Sequence, residues 1–519
     1  MAVFCLAAPV AAAPAGAQTL RMAVGAQVTA LDPHYHNLGP NNAFAAMLFS
    51  TLLETDAEGR PGPGLAVAWR PVGEDAWEFR LRPGVVFHNG AKFTADDFAF
   101  TVERIPLVVA SPGSFRTYTQ AIRAVEVVDP LTLRIRTKGP YPLLPIDLAQ
   151  VPVLNRATHA GATTDRFNSG ELAIGTGPFR LASYRAGERA ELLRNASYWG
   201  TAPAWQHVQF RMVANTPARL TALLAGDVDF IDQVPTADVE RLRGNAAIRL
   251  SEAASLRFVY VAFDHARREN SPFITTLDGR PMKANPLQDV RVRRALSLAI
   301  DRDAIVAQVM EGVALPINQV VPPGVYGYAP ALAAPRADLP AARRLLAEAG
   351  YPRGFGITLH GSSDRYPNDA RIAQAVGQMW TRLGVRTDVA VTPFAIYVQR
   401  ATRQEYSAFL ASWGSGSADP TSALRSVVAS FDPARGLGSV NRGRYSNPAF
   451  DAGLITAMHE MDPARREAML RDITVLAIGT DVGIVPLHMQ KNVWAMRPGL
   501  VHAGRIDEAT RAQDVRPAR

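Results

Sequence analysis

Apolar residues in the second half of the chain follow two spacings in turn, that of a β-strand and that of an α-helix. Strands are predicted at residues 356–360, 385–391 and 407–411, and helices at residues 369–383 and 397–403. The longer helix repeats apolar residues at helical spacing and stops at Gly384. This βαβαβ order predicts a mostly parallel α/β sheet, in which ligands bind beyond the carboxyl ends of the strands. The loop after residues 407–411 is therefore a candidate binding loop.

The first half has short alternating segments separated by glycine and proline. Strands are predicted at residues 19–24, 77–81, 125–128 and 131–136, and helices at residues 42–53 and 95–105. Thr94 precedes the second helix, and Asp96 and Asp97 occupy its first turn, where carboxylates favour the helix dipole. We therefore expect a β-rich region from about residue 55 to residue 170.

Length and charge limit the classes of protein that fit. A chain of 519 residues is too long for one compact core, so we expect two or three domains. The net charge is +8, but the basic residues are almost all Arg and are spread along the whole chain. A nucleic-acid surface would gather them on one element. We expect a solvated basic surface and no nucleic-acid partner.

The N-terminus has the composition of a secretory signal peptide. Residues 2–13 are small and apolar, and Ala15-Gly16-Ala17 is a small-x-small cleavage site. A membrane anchor is the alternative, but the run is shorter than a bilayer requires. Cys5 is the only cysteine and follows no lipobox, so we expect no disulfide after removal of residues 1–17. These observations predict a protein free in the periplasm.

The common catalytic motifs are missing from the sequence. There is no P-loop and no H-E-x-x-H, and neither residues 361–365 nor residues 414–417 have the spacing of a nucleophile elbow. His34 and His36 lie in a proline-flanked loop; imidazoles bind transition metals, but solvated loop residues are the simpler interpretation. We expect no catalytic residue, no metal site and no cofactor.

A series of short motifs runs through the chain in a fixed order. They are Leu81-Arg82-Pro83-Gly84-Val85-Val86-Phe87-His88-Asn89-Gly90, Phe93-Thr94-Ala95-Asp96-Asp97, Gly175-Thr176-Gly177-Pro178-Phe179, Arg194-Asn195-Ala196-Ser197-Tyr198-Trp199-Gly200, Asp289-Val290-Arg291-Val292-Arg293-Arg294-Ala295-Leu296 and Arg444-Tyr445-Ser446-Asn447-Pro448. Together they resemble the bacterial extracellular solute-binding family 5, which includes the dipeptide-, oligopeptide-, glutathione- and nickel-binding proteins of ABC importers.

The resemblance implies two α/β lobes with an extra β-rich subdomain in the first lobe, the large peptide-binder class of type II periplasmic binding proteins. The expected parts are residues 18–54 (lobe I, first part), 55–174 (β-rich subdomain), 175–264 (lobe I, second part), 265–485 (lobe II) and 486–519 (return to lobe I). The chain would cross between the lobes near residues 261–264 and 484–486. Hinge closure at these crossings would trap a ligand in the cleft.

The resemblance also places the binding loop after the last predicted strand. Peptide-binding members carry an aspartate after a tryptophan that holds the ligand's free amino group. Here the tryptophan matches Trp413, and Gly416 stands at the aspartate's position. Asp419 either reaches the ligand or caps a turn. Gly414, Ser415, Gly416 and Ser417 would then offer N–H groups and hydroxyls to a polar or anionic ligand.

Other contacts are carried over from the same family. Dipeptide-binding members carry an Arg and a Tyr that contact the ligand carboxylate, and Arg365 and Tyr366 match them with a spacing shifted by about two residues. The alternative is that Arg365 pairs with Asp364 or Asp369. Asn37 and Gly39 match a first-lobe segment that gives backbone contacts. Trp413 would stack on the ligand or belong to the core.

The function implied is the substrate-binding component of an ABC importer, a non-enzymatic monomer that captures a peptide or peptide-like small polar solute. Its partners would be an ABC permease and ATPase. The alternatives are another solute (an opine, a glutathione-like compound, an oligosaccharide or a metal chelate), a periplasmic hydrolase, and a structural or chaperone-like surface protein.

Overall fold

The computed structural model describes residues 19–518, so the predicted signal peptide and Cys5 lie outside the described residues. The strands are β1 Thr19–Val24, β2 Leu53–Thr55, β3 Pro61–Pro63, β4 Ala66–Pro71, β5 Ala76–Leu81, β6 Ile122–Asp129, β7 Thr132–Thr137, β8 Phe179–Arg185, β9 Arg189–Arg194, β10 His207–Met212, β11 Phe230–Ile231, β12 Arg249–Phe263, β13 Ile274–Thr275, β14 Ala314–Pro316, β15 Gly356–Ser362, β16 Arg386–Thr392, β17 Ala408–Gly414, β18 Ile484–Met496, β19 Leu500–His502 and β20 Val515–Pro517.

The helices vary from single turns to four turns. They are α1 Gly39–Leu48, α2 Ala95–Arg104, α3 Arg116–Thr119, α4 Leu144–Leu148, α5 Arg156–His159, α6 Thr164–Asn168, α7 Thr216–Ala225, α8 Thr236–Arg243, α9 Val290–Leu298, α10 Arg302–Ala304, α11 Leu339–Glu348, α12 Asp369–Leu383, α13 Phe394–Thr402, α14 Thr421–Ala423, α15 Pro448–His459 and α16 Pro463–Thr474. None of those described is both long and apolar enough to cross a bilayer.

One twelve-stranded sheet runs through both lobes. Its order is β13-β15-β17-β12-β18-β11-β1-β10-β9-β8, with β14 added on β18 and β16 on β15. The pairs β15–β16 and β15–β17 are parallel, and α12 and α13 lie between these strands in the chain. The predicted βαβαβ unit of the second lobe is therefore confirmed.

Two long strands, β12 and β18, carry the chain between the lobes. They pair with each other in antiparallel fashion, while β12 also pairs with β17 and β18 also pairs with β11. The register of their pairing shifts twice, between Ala254 and Phe258 and between Val259 and Tyr260. The second shift lies beside the crossing expected near residues 261–264, which stays a prediction.

The β-rich subdomain of the first lobe is an antiparallel sheet in the order β4-β5-β7-β6. Its inward side chains, among them Phe79, Leu133 and Ile135, are fully buried. The predicted α2 begins with a capping box in which Thr94 and Asp97 bond each other's backbone N–H groups. The subdomain thus has its own core.

Two local predictions were wrong. The first helix was expected at residues 42–53, but α1 begins at Gly39, because Pro40 suits the first helical turn, and it ends before Phe49 takes an extended conformation. His34 was interpreted as a solvated loop residue, yet it is buried: its Nε2 lies 2.8 Å from the Pro152 carbonyl oxygen and its Nδ1 lies 3.1 Å from Arg104. It is a core residue, and within residues 19–518 no group of three side chains could hold a metal.

Candidate functional site

Strands β15 and β17 end at the same edge of the second-lobe sheet because they are parallel. Arg365 and Tyr366 follow β15, and the loop Ser415–Ser417 follows β17. The sheet therefore brings these two predicted site segments to one side of the second lobe, facing the first lobe.

A cavity of about 250 Å³ separates this loop from the β-rich subdomain. It is lined by Ser415, Gly416, Ser417, Asp419, Thr421, Ser422, Arg425, Ser426, Gly436 and Ser439 of the second lobe and by Thr117, Tyr118, Gln120, Tyr141, Leu143, Ile146, Asp147 and Gln150 of the first. Gln150 Nε2 donates to the Gly416 carbonyl oxygen at 3.3 Å, across the two walls. We call this space the interlobe cavity.

The 415–417 loop offers fewer donors than expected. The Ser415 N–H donates to the Leu256 carbonyl, the Ser415 hydroxyl donates to the Ser417 carbonyl, and the Ser417 N–H donates back to Ser415 Oγ at 3.2 Å. The expectation of a loop open to an anion is wrong for these groups, because the loop uses them to hold its own shape. A ligand is left with the Gly416 N–H and the Ser417 hydroxyl.

Asp419 is fixed by contacts within the second lobe. Arg466 donates Nη1 to Asp419 Oδ2 at 2.7 Å and Nη2 to Oδ1 at 3.1 Å, and both side chains are almost fully buried. Oδ1 also accepts from the Thr421 N–H at 2.8 Å. Of the two roles considered for Asp419, the geometry fits the turn cap, and Arg466 neutralises the charge of the carboxylate.

Trp413 and Tyr366 lie at the border of the second-lobe core. Each packs against a cluster of buried apolar residues. The Trp413 Nε1 and the Tyr366 hydroxyl are buried without a hydrogen-bond partner among the described residues. Burial holds the pKa of Tyr366 well above its usual value, so the phenol stays a neutral donor. A direct contact of either residue with a ligand stays a prediction.

Arg365 marks the other end of the cleft. Its guanidinium carbon lies 4.9 Å from the centre of the Phe394 ring, and no acidic side chain of residues 19–518 forms an ion pair with it. Burial lowers the pKa of Arg365, the nearby charge of Arg257 lowers it further, and Glu508 raises it. Glu508 already pairs with Arg257 at 3.3 Å, so this end carries an uncompensated positive charge.

Gly414 leaves room for the Arg257 guanidinium beside β17. It lies opposite Arg257 in the β12–β17 ladder, and a Cβ at Gly414 would lie only 2.7 Å from the Arg257 guanidinium. Its absent side chain lets the Arg257–Glu508 pair cross the face of β17. Gly414 therefore has a packing role, and contact with a ligand remains a prediction.

Asn37 and Gly39 are separated in the structure. Asn37 Nδ2 donates to the Tyr118 hydroxyl at 3.1 Å, which ties it to the wall of the interlobe cavity. Gly39 lines a smaller cavity of about 120 Å³ in the first lobe, with Asp232 and Glu508. The two residues therefore face different ends of the cleft.

Sequence reasoning missed the first-lobe wall of the interlobe cavity. Asp147 accepts a hydrogen bond from the Tyr141 hydroxyl at 2.6 Å. Burial raises the pKa of Asp147 to about 7, an effect strengthened by Asp419 and opposed by Tyr141 and Arg425. The sequence signal that could have indicated this residue is a single acid within the apolar run 143–148, because charged residues are rarely buried in a core without a partner.

Two lobes joined by two shared strands, with a polar cavity between them, are the architecture of a two-lobed solute-binding protein. Residues 60–434 match the family described as bacterial extracellular solute-binding proteins, family 5 (middle). The chain therefore belongs to that family, whose members are extracellular substrate-binding components of ABC importers.

Known proteins agree with this assignment. Heme-binding protein A of Haemophilus influenzae is 26% identical over 498 residues, covering 88% of this chain and 86% of its own. The dipeptide-binding protein of Escherichia coli is 27% identical over 448 residues, covering 78% and 80%. The periplasmic binding protein DppA of Helicobacter pylori, solved with the peptide STSA, shares the fold with a TM-score of 0.75 at 23% identity, covering 96% of this chain and 98% of its own.

Proposed function

We propose that this protein captures a small peptide or a peptide-like polar solute between its lobes and delivers it to an ABC permease and ATPase. It acts in the periplasm as a monomer, after removal of residues 1–17, and it releases its ligand unchanged. Dipeptide- and peptide-binding relatives support the class of ligand.

The free guanidinium of Arg365 carries the proposal. It stands at the carboxyl end of β15, beside an ion pair that already satisfies Glu508, and no carboxylate of the described residues neutralises it. A guanidinium in this position suits a ligand carboxylate, which it binds with two parallel hydrogen bonds. The C-terminal carboxylate of a peptide is such a group.

A calorimetric titration tests this role. A pool of di- to tetrapeptides is screened by thermal shift, and the tightest member is titrated into the wild type and into R365A. Hydrogen bonds to charged groups are worth about 1.5–3 kcal/mol, so R365A should bind roughly 10- to 100-fold more weakly. The same peptide with an amidated C-terminus should bind weakly to both proteins.

Arg353 gives a matched control. It is exposed, it precedes β15 at the opposite end from Arg365, and R353A removes the same charge. R353A should bind as the wild type does. Equal affinity of R365A and R353A would contradict the proposal, and recovery of cleaved peptide after incubation would favour the hydrolase instead.

A further inference from the structure

The interlobe cavity is built for only a part of a ligand. Its volume of about 250 Å³ falls below the roughly 300–1,000 Å³ of a typical small-molecule pocket, so it suits one end group of a ligand whose remainder would extend along the cleft. The chemistry of its walls therefore shows which end group fits.

The two carboxylates that line this cavity differ in their partners. Asp419 receives two donors from Arg466 and one from the Thr421 backbone, so its charge is already matched. Asp147 receives a hydrogen bond only from the neutral hydroxyl of Tyr141, and no Arg, Lys or His of residues 19–518 forms an ion pair with it. Asp147 is thus the carboxylate whose charge is left for a ligand.

Arg425 also lines the cavity but does not neutralise Asp147. Its Nε donates to the Gly436 carbonyl oxygen at 3.0 Å, which directs the guanidinium along the second-lobe wall. The two side chains are farther apart than an ion pair allows, and their charges still affect each other. Asp147 and Arg425 thus leave space between opposite charges.

Gly416 opens the space that a ligand group would need. A Cβ at this position would meet only Gln150 Oε1, at 3.7 Å, so the second-lobe wall is open where it faces the first lobe. No side chain of the loop 415–417 supplies a carboxylate.

We propose that Asp147 is the residue that binds a positively charged ligand group, the ammonium of a free N-terminus, from the first-lobe wall of the interlobe cavity. A buried ammonium requires an anionic partner, and Asp147 is the carboxylate of this cavity that lacks a cation. The high pKa of Asp147 agrees with a carboxyl group that is buried before its counter-charge arrives. This inference rests on the proposed capture of a peptide-like solute, and it makes the free amine part of specificity.

Paired peptides test the inference. The same di- to tetrapeptides are prepared with a free and with an N-acetylated amine, and each pair is titrated into the wild type and D147N. In the wild type, acetylation should weaken binding at least about tenfold, the cost of one charged hydrogen bond. In D147N the free and acetylated peptides should bind with similar affinity.

Controls separate this role from a structural one. Asp96 is an exposed acid of the same subdomain outside the cavity, so D96N should keep the wild-type preference for the free amine. Should D147N fail to fold, as judged by its melting transition, D147S replaces it.

The outcomes distinguish the two proposals. If no peptide of the pool binds the wild type, both the proposed function and the role of Asp147 are wrong. If peptides bind but acetylation has no effect, or D147N keeps the preference of the wild type, the role of Asp147 alone is wrong.

Discussion

The carboxylates on the two walls of the interlobe cavity differ in whether a cation neutralises them. On the second-lobe wall Asp419 is paired with Arg466 and caps the turn before α14. On the first-lobe wall Asp147 has one neutral partner, Tyr141. Position in a cavity therefore does not decide whether an acid binds a ligand; the contacts behind it decide whether its charge is still available.

The largest expected effect breaks the second-lobe wall. D419A leaves Arg466 as a buried cation without a partner, so the free energy of unfolding should fall by about 3–5 kcal/mol. Urea denaturation measures the loss. D303A removes an exposed acid elsewhere in the second lobe and should change stability by less than about 0.5 kcal/mol. A loss below about 1 kcal/mol for D419A would show that Asp419 is free to serve a ligand.

Moving the carboxylate across the cavity gives the next effect. In the double variant D147N/G416D the acid returns to the second-lobe wall, where a side chain at residue 416 begins in open space. The preference for a free over an acetylated amine, lost in D147N, should recover by about tenfold. Calorimetry with the paired peptides measures it. No recovery would mean that only the first-lobe wall reaches the amine.

The third effect is a dependence on pH. Burial raises the pKa of Asp147 to about 7, so the group is a carboxylate above this pH and becomes neutral below it. Affinity for a free-amine peptide should therefore fall as pH drops from 7.5 to 5.5, by up to about tenfold per unit. The acetylated peptide and D147N should show flat profiles. The cavity is also lined by two tyrosines, Tyr118 and Tyr141, whose phenol pKa values are raised by burial. Its remaining charged groups are Asp419, which is paired with Arg466, and Arg425.

The buried histidines His88, His488 and His502 should not contribute to the pH dependence of affinity. Burial lowers the pKa of His88, His488 and His502 to about 4, so these rings stay neutral across the range. A steep pH profile for D147N would point to another titrating group and contradict the assignment.

The smallest effect concerns the contact between the walls. Q150A removes the hydrogen bond to the Gly416 carbonyl, worth about 0.5–1.5 kcal/mol, so affinity should fall by about two- to tenfold for free and acetylated peptides alike. Gln378, exposed on α12, offers the control Q378A. A loss confined to the free-amine peptide would place Gln150 at the amine instead.

The second lobe was predictable from sequence because its sheet is built from local βαβ units. Periodicity located β15, α12, β16 and β17, and strand direction then placed Arg365 and the 415–417 loop at one edge. The family resemblance added Trp413 and showed that Gly416 stands where peptide-binding members have an aspartate. These are properties of segments that lie close together in the chain.

The first-lobe wall was not predictable, because it depends on contacts between distant parts of the chain. Gln150 meets Gly416 across 266 positions, and no pattern near either residue indicates the pairing. The partner of Asp419 is likewise 47 residues away. Sequence showed that an amino-binding aspartate was missing, and only the packing of the lobes showed where another carboxylate lies.

The pairing of β12 with β18 limits how the protein can move. Because the two connections between the lobes are hydrogen-bonded to each other along most of their length, the lobes cannot slide past each other without breaking that ladder. Bending and twisting at the two irregularities, near Ala254–Phe258 and Val259–Tyr260, remain possible. The lobes should therefore open by a hinge rotation about β12 and β18, which would release both ends of a bound ligand together.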